Sequence, residues 1–230
     1  MTSADERLPP SLRLERIGRE AEPLVVIDNF SGTAPQLERI GRQADYRAVE
    51  GFPGIRSPAD RRYLQPMSEM LGEIFAKAFG FKSAMIERCE YSIVTRQTHE
   101  LSSEQRLPHY DSADDTVIAL LHYLQGPDTG GTAFYRHRRT GFESLNPDRV
   151  APYHAGLQQD ETEYGPPAAA YTLGDSDRYE MTAEIEAKED RAIIYRGRLL
   201  HSGVIPNPPT ATTAQDTGRL TINTFILGQR

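Results

Sequence analysis

Hydrophobic positions along the chain follow two periods in turn, helical in the first third and strand-like afterwards. The run Pro23-Leu24-Val25-Val26-Ile27-Asp28-Asn29-Phe30 is short, apolar and bounded by turn residues, as a buried strand is. A helix is predicted after Thr33, with Pro35 near its start and Leu37, Ile40 and Ala44 on one face. A second helix is marked by Met67, Met70, Leu71, Ile74, Phe75, Ala78 and Phe79 at helical spacing, ended by Gly80. Its methionine and aromatic stripe reads as core packing. From residue 83 onwards short apolar or alternating runs dominate, among them Val117–Leu121, Ala192–Tyr195, Leu199–Ile205 and Gly218–Ile226. Helices first and antiparallel strands afterwards predict an α+β fold with a mainly β core, the N-terminal helices packed outside a sandwich or barrel. Residues 1–20 read as a loose tail. Residues 146–177 hold Tyr153, His154, Tyr164 and Tyr171 among Pro, Gly and acidic residues, and read as a long loop, either a lid or a surface excursion.

Within the β region, His109 and Asp111 stand at i and i+2, and His201 follows Asp111 by ninety residues. On a strand, i and i+2 project from one face. Two imidazoles and one carboxylate can occupy a triangular face of an octahedron and leave the opposite face open, the arrangement of non-heme Fe(II) oxygenases. The alternative is a core His201 bonded to backbone, with His109 and Asp111 merely pairing with each other. The ligand types and the strand-like context of both halves favour the metal set, His109, Asp111 and His201.

The stretch from Gly218 to Ile226 alternates strictly, with Arg219, Thr221 and Asn223 on one face and Leu220, Ile222 and Ile226 on the other. An arginine on the inward face of a buried strand is costly unless it meets an anion. Its guanidinium fork matches a carboxylate, and the Thr221 hydroxyl could add a bond. An arginine that reaches the surface, or pairs with an internal acid, would satisfy the same pattern.

These residues together resemble the Fe(II)- and 2-oxoglutarate-dependent oxygenases, in particular the prolyl-4-hydroxylase-like branch and a bacterial subfamily of it. The resemblance spans residues 85–227 and runs through His109-x-Asp111, Gly130-Gly131-Thr132-Ala133-Phe134, His201 and Arg219-x-Thr221. It implies a double-stranded β-helix (jelly roll, cupin-like), with iron held by His109, Asp111 and His201. It also implies that Arg219, with Thr221, grips the distal carboxylate of 2-oxoglutarate, and that Tyr91 assists. Fe(II), the cosubstrate 2-oxoglutarate and O2 would then serve to hydroxylate an amino-acid, peptidyl or small-metabolite C–H, with release of succinate and CO2. Two departures stand out. The eighteen-residue gap from His201 to Arg219 is longer than usual, the excess lying in the Pro/Thr-rich stretch 206–217. The Gly-Gly-Thr-Ala-Phe segment also shifts its threonine by one position, so no role passes to Thr132. The carboxylate of Asp111 disfavours halogenation, for which relatives carry a small residue there.

Composition narrows the partners. At 230 residues the chain suffices for one oxygenase-sized domain, 1–230. A net charge of −7 and a pI near 5.4 argue against general nucleic-acid binding. The basic cluster Arg136-His137-Arg138-Arg139 reads as a solvated or acid-paired strand end. A lone cysteine, Cys89, excludes an intrachain disulfide and suits a cytoplasmic location. No apolar run approaches membrane length, so no membrane partner is expected; the resemblance implies a small-molecule or peptidyl substrate, with a homodimer an open option. Two other readings remain: a cupin-type metal enzyme that does not use 2-oxoglutarate, and a non-catalytic ligand-binding jelly roll.

Overall fold

The computed structural model describes residues 8–208 and 214–230. In chain order its elements are β1 (Ser11–Ile17), β2 (Glu22–Asp28), α1 (Ala34–Arg42), β3 (Arg47–Ala48), β4 (Gly54–Pro58), α2 (Ser68–Phe79), β5 (Ser83–Val94), β6 (Val117–Tyr123), β7 (Gly131–His137), α3 (Pro147–Tyr164), β8 (Tyr179–Glu186), β9 (Arg191–Arg196), β10 (His201–Val204), α4 (Ala214–Thr217) and β11 (Leu220–Gln229). Eight strands form one antiparallel sheet, in the order β1-β2-β9-β6-β11-β5-β4-β3, and three form a second, β10-β7-β8. The fold is mainly β, as the change of period predicts.

The alternation of side chains gives the large sheet two different faces. Its outer face presents Val25, Ile27, Ile118, Leu120 and Ile194 to Leu71, Ile74, Phe75 and Phe79 of α2. Further along the same face, Tyr91, Ile93, Leu220 and Ile222 pack with Ala34 and Leu37 of α1. Each large side chain so buried contributes about 1.5–3 kcal/mol, so α2 alone is a strong clamp on the sheet. The helix ends where Gly80 turns left-handed at φ 76°, a conformation glycine adopts without strain. On the inner face, Leu24, Val26, Leu121, Ile193 and Tyr195 meet Phe134 and Ile185 of the small sheet. Inner-face residues of β11, β5 and β4 instead line a cavity of about 800 Å³.

Several sequence expectations are corrected. Residues 11–17 are not loose: Leu12 and Leu14 alternate with Arg13 and Glu15, and the segment pairs along β2 as an edge strand. Strands β1 to β4 join the sheet, which therefore extends well before residue 85. Ile40 does not face the core but is 51% exposed, because α1 buries Ala34, Leu37 and Gly41. Half of the expected loop at 146–177 is α3, whose N-terminus is capped by the Asn146 side chain accepting from Arg149 N at 3.0 Å, with Pro147 opening the first turn. Pro152 and Gly156 within it hide the helical signal, and Gly156 is required because a Cβ there would stand 3.0 Å from the His137 ring. The starting residues 1–7 and the 209–213 portion of the Pro/Thr-rich stretch lie outside the described residues. Among the described residues, no helix is long and apolar enough to cross a membrane.

Candidate metal centre and its cavity

His109 lies not in a strand but in an isolated bridge that pairs it directly with His201. His109 N donates to His201 O at 2.9 Å, and His201 N donates back to His109 O at 2.8 Å. The two predicted ligands are thus neighbours across one antiparallel pair, and their ring centroids stand 4.4 Å apart. Two residues on, Asp111 N donates to Gly197 O at 2.7 Å, which swings the carboxylate beneath both imidazoles. Gly197 leaves room for that approach, since a Cβ there would meet Val117 at 3.0 Å and Asp111 Cβ at 3.3 Å.

The outcome is a convergent set. Donor atoms of His109, Asp111 and His201 all lie within 4.8 Å of one another. Yet His109 Nε2 is 4.0 Å and His201 Nε2 3.7 Å from the nearest Asp111 oxygen, too far for hydrogen bonds. The simple pairing of His109 with Asp111 is therefore absent, and the three side chains face a common space instead of one another.

Local bonding prepares them for a cation. His201 Nδ1 lies 2.8 Å from the Leu199 carbonyl, which can only accept, so Nδ1 carries the proton and Nε2 keeps its lone pair. Tyr195 and Phe134 flank that ring at 4.9 and 6.3 Å and fix its plane. Burial pushes the His201 pKa down to about 4; partial loss of solvent and the facing His201 lower that of His109 too, although its side chain is 57% exposed. Both rings are neutral near pH 7, the form that ligates a metal. Burial raises the Asp111 pKa against the pull of His109, Arg56 and Arg88, a cost that a bound cation would reverse. Two neutral imidazoles and a carboxylate with no hydrogen-bonded partner among the described residues fit a divalent first-row metal, with the cavity side left for other ligands.

Arg219 lines the same cavity. Its Nη2 donates to Gly131 O at 3.0 Å, its guanidinium lies 5.4 Å from the Tyr123 ring centre, and its Nε is buried without a partner. No carboxylate neutralises it among the described residues, so the internal-acid alternative does not hold. Thr221 lies on the same face but donates to Asn223 Oδ1 at 2.8 Å, one step back from the cavity wall. Tyr91 is a correction: it sits on the outer face of β5, packed under α1 near Gly41, and does not face the cavity. Strand parity separates it from Arg219, because Tyr91 pairs in register with Ile222, an outward residue.

Three features were missed in the sequence. Arg56 of β4 and Arg88 of β5 reach the cavity, and nothing in their local pattern marks them. Thr132 accepts from Tyr123 OH at 2.7 Å beside Arg219. His122 and His137, which lack ligand neighbours in sequence, each hold a buried aspartate, Asp190 at 2.9 Å and Asp160 at 2.7 Å. The basic cluster is acid-paired as expected, Arg136 with Glu180, Arg138 with Asp175, and Arg139 with Asp160.

The segment 146–177 divides in two. Its helix packs Tyr153 into a cluster with Tyr135 and Tyr179, outside the cavity lining. After Gly165 the chain crosses to the cavity: Arg106 Nη1 donates to Pro167 O at 3.3 Å, Thr172 Oγ1 to Arg106 O at 2.9 Å, and Tyr171 OH to Arg96 O at 2.7 Å. Tyr171 lines the cavity wall; His154 does not.

Over residues 9–226 the sequence matches a family described as a family of unknown function, DUF6445. The chain belongs to that family. No curated protein matches it. Among solved structures, this family member is similar to SnoN, a non-heme alpha-ketoglutarate-dependent epimerase from nogalamycin biosynthesis, with a TM-score of 0.53 at 12% identity, over 90% of this chain and 79% of that one. It is also similar to HygX from Streptomyces hygroscopicus, solved with nickel, 2-oxoglutarate and hygromycin B, with a TM-score of 0.50 at 12% identity, over 91% and 84% of the two chains. At such identities the likeness is one of fold.

Proposed function

We propose that this DUF6445 protein is a non-heme Fe(II)- and 2-oxoglutarate-dependent dioxygenase that hydroxylates a small-molecule C–H and releases succinate and CO2. The observation that carries the reading is the convergence of the His109, Asp111 and His201 side chains on a common space without side-chain hydrogen bonds among them, in a cavity shared with the acid-free Arg219. The strand order supports a double-stranded β-helix, with β5, β11, β6 and β9 on one side and β10, β7 and β8 on the other. SnoN and HygX, similar in fold, carry alpha-ketoglutarate and metal chemistry in their own descriptions. The whole of 1–230 is read as one oxygenase unit, and a cytoplasmic setting suits the unpaired Cys89.

When bound, iron would supply dioxygen activation coupled to decarboxylation of the 2-oxo acid. The chain's own residues do the positioning. His109, Asp111 and His201 would hold the metal on one face and leave the cavity face to substrates. Arg219, with a free Nε beside Gly131 O and the Tyr123 ring, would grip the distal carboxylate of 2-oxoglutarate and so fix its other end toward the triad. Thr221 orients Asn223, and Thr132 steadies Tyr123 at the same wall. Residues 165–172, tied to Arg106 and Arg96, would act as the lid that limits water, whereas α3 is only its anchor.

Incubation with Fe(II), ascorbate and 2-oxoglutarate in air should release succinate slowly without added substrate. The Asp111→Ala protein should release none. Equal succinate from the two proteins would defeat the reading, and metal binding without any 2-oxoglutarate consumption would move the chain to the cupin-type alternative.

A further inference from the structure

Away from Arg219, the cavity holds a second cationic group. Arg56 on β4 and Arg88 on β5 both face inward, and both reach the same oxygen of Glu90: Arg56 Nη1 at 3.2 Å and Arg88 Nε at 3.4 Å from Oε2. One buried carboxylate, its side chain 9% exposed, therefore serves two guanidiniums. Counted with Glu90 alone, the pair is one positive in excess; Asp111 of the triad is a further carboxylate that its field reaches, and Glu87 lines the same cavity. Arg56 is itself only 12% exposed, and its Nε is buried without a partner. The Nη atoms of Arg88 have no acceptor among the described residues, although its side chain opens by 48% to the cavity.

Two cations share one carboxylate elsewhere in this protein too, and the cavity pair differs in where its spare donors face. Glu22 is also shared by two arginines, Arg196 and Arg198, but there Arg196 donates onward to Asp115 O at 2.7 Å and Phe79 O at 3.0 Å. Asp28 likewise serves both Arg191 at 2.6 Å and Lys188 at 3.1 Å, and there Arg191 Nη1 donates onward to Glu186 O at 2.9 Å. Of these three groups, the cavity pair is the one whose guanidiniums line the cavity. Each member is also held from behind by a ring, Arg56 over Phe52 and Arg88 over Phe225, both at 4.5 Å. Such stacking fixes the forks before a ligand arrives, which lowers the entropy lost on binding.

Position separates this pair from the anchor proposed for 2-oxoglutarate. Arg56 registers with Ser92, which registers with Thr221, so Arg56 stands two strands from the β11 anchor, roughly 10 Å across the sheet. The fields of Arg56 and Arg88 still reach the Asp111 carboxyl, so the pair borders the metal face. A cavity of about 800 Å³ has space for a second molecule beside 2-oxoglutarate.

We propose that Arg56 and Arg88 form a carboxylate subsite that holds the substrate, a small organic acid, with its reacting carbon turned toward the His109–Asp111–His201 face. The substrate role rests on the oxygenase reading; the anion site does not. Glu90 keeps Arg56 in place and tempers the pair, so that the site attracts one negative charge and releases it again.

The test uses N-acetylglycine as probe and its neutral amide as control, with binding to the metal-free full chain followed on the arginine Nε–H resonances. The acid should shift the Arg88 and Arg56 signals and bind at least tenfold more tightly than the amide. Arg88→Gln, at a half-exposed position that leaves the Arg56–Glu90 pair intact, should weaken acid binding at least tenfold, while Arg219→Gln should leave it within twofold. N-terminally acetylated hexaglycine, the second arm, should bind more weakly if the source is a free small acid; equal binding would assign the site to a peptide terminus. Equal binding of acid and amide, no binding of the acid, or loss through Arg219→Gln alone would overturn the subsite. A loss of 2-oxoglutarate affinity in Arg88→Gln with the probe unaffected would do the same. Failure of succinate release while the probe still binds would remove the oxygenase reading and leave the anion site standing.

Discussion

Three histidine–aspartate groups stand among the described residues, and they are not alike. In His122–Asp190 and His137–Asp160 the carboxylate is saturated, although His122 Nδ1 is buried without a partner. Asp190 accepts from His122, from Ser31 N and Oγ at 3.0 and 2.7 Å, and from Gly32 N at 2.7 Å. Asp160 accepts from His137 and from Arg139 Nε at 2.5 Å, while His137 Nδ1 lies 2.9 Å from Thr140 Oγ1. The third group, His109, Asp111 and His201, leaves 3.7–4.0 Å between its donors and its carboxylate and opens onto a cavity. The same residue types serve two ends. Where the carboxylate's acceptors are filled, the cluster ties β6 to the turn before α1, or β7 to α3. Where the donors converge but do not bond, and the cluster opens onto a cavity, its lone pairs are left to meet a cation.

The comparison breaks most plainly under metal titration. His201→Ala and Asp111→Ala should each abolish stoichiometric Fe(II) or Ni(II) binding while the melting temperature of the metal-free protein changes little. Asp190→Ala should leave metal binding intact. Calorimetric titration of the three variants decides, and a His201→Ala protein that binds metal like its parent would refute the triad.

Stability should respond in the opposite order. Asp190→Ala removes the acceptor of four donors, one of them a fully buried imidazole, and should cost about 3–5 kcal/mol in urea unfolding, as breaking a buried pair does. A loss below about 1 kcal/mol would mean that the His122–Asp190 pair is not structural.

A smaller effect concerns the anion anchor. Arg219→Gln should raise the 2-oxoglutarate concentration needed for half-maximal succinate release at least tenfold, since a charge-assisted bond contributes about 1.5–3 kcal/mol. Metal affinity should not move. Unchanged cosubstrate dependence would place the anchor elsewhere on the wall.

The smallest effect is on pH. Burial lowers the pKa of His122 and His137 despite the opposing pull of Asp190 and Asp160. A histidine whose folded pKa lies below its unfolded value of about 6.5 contributes stability above that pH and loses it as pH falls toward the folded value. Urea midpoints should therefore drop between about pH 7 and about pH 5.5, and the drop should shrink in a His137→Asn variant. An equal drop in parent and variant would assign the acid lability to other groups.

Much of the fold was legible because its signals are local. The α2 stripe and its Gly80 stop, the alternation at Leu220 to Ile226, and the apolar run of β6 all come from side-chain period alone. The α3 helix was not, because Pro152 and Gly156 look like breakers until His137 is seen filling the space above Gly156. Tyr91 was misplaced for a related reason: a tyrosine on the right strand faces the wrong way by one residue of parity.

The sequence by itself determined which atoms can ligate, His109, Asp111 and His201, and that Arg219 shares a strand face with Thr221, since residue chemistry and strand parity need no third dimension. Only the tertiary structure decided what each carboxylate meets. His122 finds Asp190 across 68 residues, Arg56 finds Glu90 across 34, and Asp111 finds no hydrogen-bonding side chain among the described residues. Those partners are set by sheet order and register, which place distant strands side by side, and no period along the chain encodes that choice.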